Sequence, residues 1–282
     1  LQEAYYQYSR PLDQRLGFVS AQSFFDGPGQ YSWFCAVVFA VSYAAFEIPS
    51  GALGDRIGPR LVLTRIVLWW SAFTSLTGMV TGYFPLLVTR FLFGMGEAGA
   101  YPNASVAVAR WFPLHERGRA FGIIFMASQL GGGLAPLLVV PIQIHYGWRA
   151  SFYVFGILGV AWSAAWYWWF RDSPTEKAGI TQDELEETRG LVAKAHHSLP
   201  WKIALRSGNL WAAMIVGFCY YYPLYFFQSW FHTYLVKSRG YSENDLLLSS
   251  LPFLVGALGN FGGGLASQAL VKKLGLQWGR CS

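Results

Sequence analysis

The sequence predicts an all-α membrane protein: two helical bundles, one of five spans and one of two, joined by a polar linker. Composition points there first. The chain is 54% hydrophobic and only 13% charged, against about 25% charged for soluble domains, and its mean hydropathy is +0.30. Apolar runs long enough to cross a bilayer recur along it, separated mostly by short turns. Finally, its basic residues fall on one side of the resulting topology.

The runs follow in order. Residues 1–30 hold no membrane-length apolar run and lack the basic-then-apolar layout of a signal peptide. Spans are expected at Tyr31–Leu53, Leu61–Val80, Pro85–Ala109, Gly118 to about Gln143, and Trp148–Phe170. Arg171–Gly208 is hydrophilic, with a solvated helix expected around Asp183–Glu187. Two more spans follow, about Leu210–Val236 and Leu246–Val271. The expected organisation is an atypical N-terminal segment (1–30), a first bundle of five spans (31–170), a cytoplasmic linker (171–208), and two spans opening a second bundle (209–282).

Placing the Gly54–Arg60 loop in the cytoplasm and alternating from there puts fifteen of the 21 Lys and Arg on the cytoplasmic side and five opposite. That bias sets the orientation. It also accounts for the net charge of +6 by a membrane face, so no nucleic-acid partner is expected. Cys35, Cys219 and Cys281 are odd in number and far apart, which excludes a disulfide framework. The five histidines form no HExxH pattern. No metal, cofactor or enzyme chemistry is expected.

Arg90–Arg119 organises the chain. Its apolar first half carries Arg90 and Glu97. A charge inside a membrane helix costs roughly 2.5–3.5 kcal/mol on insertion scales, and such charges usually serve function. Seven residues apart, the two share nearly one helix face, about 10.5 Å apart along the axis. That is too far for a salt bridge on one helix, but it suits two sites on one cavity wall. Arg90 offers a bidentate fork for a carboxylate. Glu97 can take a proton when desolvated. The plainer alternative is that both charges pair with neighbouring helices and merely hold the bundle.

The loop reads Gly51-x-x-x-Asp55-Arg56-x-Gly58-x-Arg60. This resembles the signature of the major facilitator superfamily between its second and third helices. The resemblance extends through Arg90–Gly99, Arg110–Ala120, Tyr146–Arg149, Trp168–Pro174, Trp230–Val236 and Ser249–Leu254. Together these look like the anion:cation symporter branch, which includes bacterial sugar-acid and hexuronate symporters. The family has twelve spans. This chain stops after what resembles the eighth, and Leu12-Asp13-Gln14-Arg15 matches the family's first helix only faintly, so the chain is expected to be partial.

The resemblance implies a multi-pass transporter of the bacterial inner membrane, expected to be a monomer. It would carry a small organic anion together with H⁺ by alternating access. Arg90 and Glu97 match the family's anion-binding and proton-carrying positions. Tyr43, Asn103 and Gln228 are further candidate substrate contacts. Tyr43 and Asn103 could equally be packing residues. Tyr43 pairs with Glu47 at i,i+4, and Glu47 is more simply structural. Tyr220–Tyr222 cannot all face one cavity, since successive residues lie about 100° apart. Gly51, Asp55, Arg56, Gly58 and Arg60 form the conformational-switch loop, with Arg110 or Arg117 as plausible partners for Asp55. Gly131–Gly133 and Gly262–Gly264 read as close-packing sites. Other readings are a drug or metabolite antiporter, or a non-functional truncated remnant.

Overall fold

The computed structural model describes residues 28–177, 179–181, 184, 186, 204–241 and 246–279. The expected N-terminal remnant and most of the linker helix lie outside them. The elements are α1 (Pro28–Ile57), α2 (Pro59–Met79), α3 (Tyr83–Glu97), α4 (Ala100–Trp111), α5 (Arg117–Tyr146), α6 (Trp148–Trp169), a short 3₁₀ turn (Pro174–Glu176), α7 (Gly208–Arg239) and α8 (Leu246–Gly279). The chain is all-α, with no strand among the described residues.

Two compact units form. One holds 1–117 and 139–192; the other holds 118–138 and 193–282. In the first unit α2 packs most extensively on α6, and α1 on α3. α2 turns Val62, Leu63, Ile66, Val67 and Ser71 inward, with Leu53, Trp70, Ala100 and Trp166 around the resulting cluster. Lipid offers no hydrophobic drive between helices, so close fit has to hold them together. Small residues provide it. A side chain at Gly94 would strike Ser42 and Phe39 of α1, and one at Gly96 would strike the Trp69 ring of α2. Trp69 also donates its Nε1–H to Leu92 O at 2.7 Å.

Five helices among the described residues are long and apolar enough to cross a membrane: Phe34–Ile57, Pro59–Met79, Arg117–Tyr146, Trp148–Trp169 and Ser250–Lys273. The expected span Pro85–Ala109 is helical but interrupted. It is two short helices, because α3 stops at Glu97 and Gly99 turns left-handed at φ 89°. Broken backbone inside a membrane has to be satisfied by protein. Ala98 is fully buried here, and its N–H reaches Gly94 O at 3.0 Å. Gly99 O accepts from the Asn103 backbone N–H at 3.0 Å and from Asn103 Nδ2 at 2.7 Å.

In the second unit α7 contacts α8, and residues 118–138 of α5 lie against α8. Gly118 faces Ser267, Gly122 faces Gly264, and Phe253 covers Gly132 and Gly133. The Ser250 hydroxyl donates to Gly133 O at 2.9 Å. The close-packing expectation therefore holds for Gly132, Gly133 and Gly264. Gly131, Gly262 and Gly263 have nothing within 4 Å of an added side chain.

Candidate functional site

α3 carries both Arg90 and Glu97, and the break comes only after Glu97. Their seven-residue spacing is therefore a true helical spacing, and both side chains are half-buried. Among the described residues the two charges form no ion pair with each other, as their axial separation requires.

Aromatic contacts link Arg90 to Tyr43. The Arg90 guanidinium lies 5.7 Å from the Phe93 ring centre. Phe93 in turn lies 5.7 Å from Phe39, and Phe39 lies 5.8 Å from Tyr43. Two of the expected site residues, Tyr43 and Arg90, thus occupy one region between α1 and α3, and Glu97 stands two turns further along α3. Glu47, one turn beyond Tyr43 on α1, is half-buried.

Asn103 sits elsewhere, on α4, with no exposed surface. Besides its bond to Gly99 O, its Nδ2 donates to Ser50 O on α1 at 3.2 Å. The amide nitrogen is thus a brace across the helix break, while Oδ1 is buried without a hydrogen-bond partner. Gln228 lies on α7 in the other unit; its side chain is outside the description. Tyr220, Tyr221 and Tyr222 are all exposed.

Gly51, Asp55 and Arg56 complete α1, with Asp55 and Arg56 exposed at its end. Gly58 turns the chain at φ 102°, and Pro59 starts α2. Arg60 reaches α6, donating twice to Tyr167 O at 2.9 and 2.6 Å and lying 4.3 Å above the Tyr167 ring. Beside it, Asp172 accepts from Arg60 N at 2.9 Å and pairs with Arg110 at 3.7 Å. Arg110 is therefore engaged by Asp172, whereas Asp55 was the expected acidic partner. Arg117 donates to Phe112 O and Ala109 O at 3.1 and 2.9 Å.

Asp172 belongs to the Trp168–Pro174 stretch that carries the resemblance, but its partners Arg60 and Arg110 come only with the fold. Its signal was present: a lone acid directly after the aromatic helix end Trp168–Phe170 and beside Arg171. Among the described residues no cluster of His, Cys, Asp and Glu could hold a metal ion.

The family profile described as Major Facilitator Superfamily matches residues 18–280. The chain belongs to the major facilitator superfamily. Relatives in this superfamily include a probable sulfoacetate transporter of Cupriavidus necator, 36% identical over 84% of this chain and 56% of its own length. A hexuronate transporter of Bacillus subtilis is 29% identical over 83% of this chain and 55% of its own. A probable L-galactonate transporter of Escherichia coli is 29% identical over 83% and 52%. This chain spans about half the length of these curated relatives.

The fold also matches an inward-facing, unoccupied structure of a bacterial homolog of the human lysosomal transporter Spinster. The TM-score is 0.56 at 21% identity, over 84% of this chain and 54% of that one. Family and fold agree on a multi-pass membrane protein of a transporter superfamily.

Proposed function

We propose that this chain forms part of a proton-coupled symporter for small organic anions such as sugar acids or hexuronates. The observation that carries the reading is the pair Arg90 and Glu97, half-buried on one face of α3 and not neutralising each other. Arg90 draws the carboxylate, and Glu97 exchanges the proton. Binding and proton release then act along one helix face. The relatives named for hexuronate, galactonate and sulfoacetate support an anionic substrate.

Tyr43 lines the same region as Arg90 and contacts the substrate's hydroxyls. Gln228 is the other proposed contact; the substrate role expected of Asn103 is set aside, because its side chain is fully buried and braces α4 against α1. Gly51, Asp55, Arg56, Gly58 and Arg60 tune the conformational switch. The protein acts as a monomer in the bacterial inner membrane, with residues 31–170 as the first bundle, 171–208 as the cytoplasmic linker and 209–282 opening the second.

The test is proton-gradient-driven uptake of radiolabelled galactonate and glucuronate in cells expressing the complete reading frame. Accumulation that collapses with a protonophore supports the reading. Gradient-driven efflux of apolar cations, with no anion uptake, would replace it with an antiporter.

A further inference from the structure

A cavity of about 250 Å³ lies within the first unit, where α1, α2 and α3 meet. Phe46, Pro49 and Leu53 of α1, Trp69 of α2 and Met95 of α3 give it apolar walls, and one charged side chain, Arg65, lines it. Arg65 donates to Ser50 Oγ at 3.1 Å, a neutral oxygen. No carboxylate pairs with it among the described residues. A guanidinium keeps its charge at any pH relevant to the cell, so this site holds a positive charge with several donors unspent.

The cavity is distinct from the Arg90–Glu97 face. Met95 precedes Glu97 by two residues, about 200° around the helix, so it lies on the opposite side of α3. The surroundings of Arg65 point to lipid. Leu61 and Leu68, four residues before it and three after, share its helix face and are both exposed. Arg65 is itself exposed. An exposed leucine–arginine–leucine stripe on a membrane-length helix offers acyl chains an apolar surface beside a charge.

Depth fits as well. Arg65 stands six residues from the start of α2 at Pro59, about 9 Å of helix rise. From there its long side chain reaches the headgroup layer by snorkelling. That end of α2 follows the basic Asp55–Arg60 loop, on the face the positive-inside bias assigns to the cytoplasm. The lipids of that leaflet carry negative charge.

We propose that this cavity binds the headgroup phosphate of an anionic phospholipid. Arg65 holds the phosphate, the Ser50 hydroxyl donates beside it, and the apolar walls take the upper acyl chain. Binding there would tie α1, α2 and α3 together from outside the transport path.

The test is native mass spectrometry of the purified, delipidated protein with phosphatidylglycerol and phosphatidylcholine added at equal concentration. Phosphatidylglycerol should be retained about fivefold better, the factor one basic residue contributes near an anionic surface. Arg65→Gln should bring the ratio close to one, and Arg206→Gln, an exposed arginine elsewhere, should leave it unchanged. Met95→Trp, which fills the cavity while keeping Arg65, should also abolish the preference, and it decides the matter if Arg65→Gln does not fold. A preference that survives Met95→Trp overturns the proposal. So does displacement of the lipid by millimolar glycerol phosphate, which would make the ligand a free anion.

Discussion

The backbone N–H of Arg60 donates to the carboxylate of Asp172 at 2.9 Å, across 112 residues of chain. The same carboxylate pairs with Arg110 at 3.7 Å, and a Cβ on Gly58 would come within 2.5 to 2.7 Å of it. Three segments, the α1–α2 turn, the end of α4 and the end of α6, therefore meet on one acid. Replacing Asp172 with Ala leaves the Arg60 N–H and the Arg110 charge without it, a loss of roughly 1–3 kcal/mol. The expected outcome is a lower thermal midpoint in detergent. Gly58→Ala should do comparable damage, since its backbone (φ 102°, ψ 146°) lies in a region nearly reserved for glycine and costs other residues about 1–3 kcal/mol. An unchanged midpoint in both variants would show that the acid does not hold the turn.

Glycines on α3 and α5 should behave differently. Gly96→Val drives a branched side chain into the Trp69 ring and should sharply reduce the yield of folded protein in membranes. Gly131→Ala meets nothing within 4 Å and should be tolerated, its stability within about 1 kcal/mol of the parent because Ala also favours helix. Fluorescence-detected size exclusion of both variants would compare them directly. Equal tolerance would mean that α2 and α3 do not need this close approach.

The two charges of α3 should separate in transport assays. Arg90→Ala removes a charge-assisted bond of about 1.5–3 kcal/mol, so the apparent affinity for the anion should fall roughly ten- to hundredfold. Glu97→Gln should abolish accumulation driven by a proton gradient while preserving exchange of labelled for unlabelled anion. Normal concentrative uptake by Glu97→Gln would remove this residue from the proton path.

Thr181 and Glu184, both exposed, bond to each other reciprocally. The Thr181 N–H and hydroxyl donate to Glu184 Oε2 at 3.1 and 2.9 Å, and Glu184 N donates back to Thr181 Oγ1 at 3.4 Å. These bonds hold the Glu184 carboxyl below its usual range, the backbone bond foremost. A lowered carboxylate pKa stabilises the pairing above the ordinary carboxylate range, and that contribution is lost as pH falls through the lowered value. Thr181→Ala should raise the Glu184 titration midpoint, readable by NMR of labelled glutamate. An unmoved midpoint would remove the pairing from the explanation.

Much of this fold can be read from local pattern. The apolar runs locate α1, α2, α5, α6 and α8 because each holds one unbroken helical stretch long and apolar enough to cross a bilayer. The break at Gly99 escapes such reading. Gly94, Gly96, Gly99 and Pro102 sit among alanines and other apolar residues, so mean hydropathy passes smoothly over them. Arg90 and Glu97 are visible because isolated charges stand out against apolar neighbours. Asn103 is legible as a polar residue but not as a brace, since its partner Ser50 lies 53 positions away. Asp172 and Arg65 are hidden for the same reason: what they touch depends on how distant helices meet.

Dividing one crossing into two short rods changes what it can transmit. α3, at 15 residues, rises about 22 Å, and α4, at 12, about 18 Å, so neither alone bridges the ~30 Å hydrocarbon layer. Gly99 between them makes an elbow, and the Asn103 amide bonds both to α1, the neighbour of both rods, and to Gly99 itself. The forearm, α4, is clamped at its far end through Arg110 and Asp172. The upper arm, α3, carries the charges. Tilt at one end need not reach the other as a rigid push, because the helix axis is interrupted at Gly99.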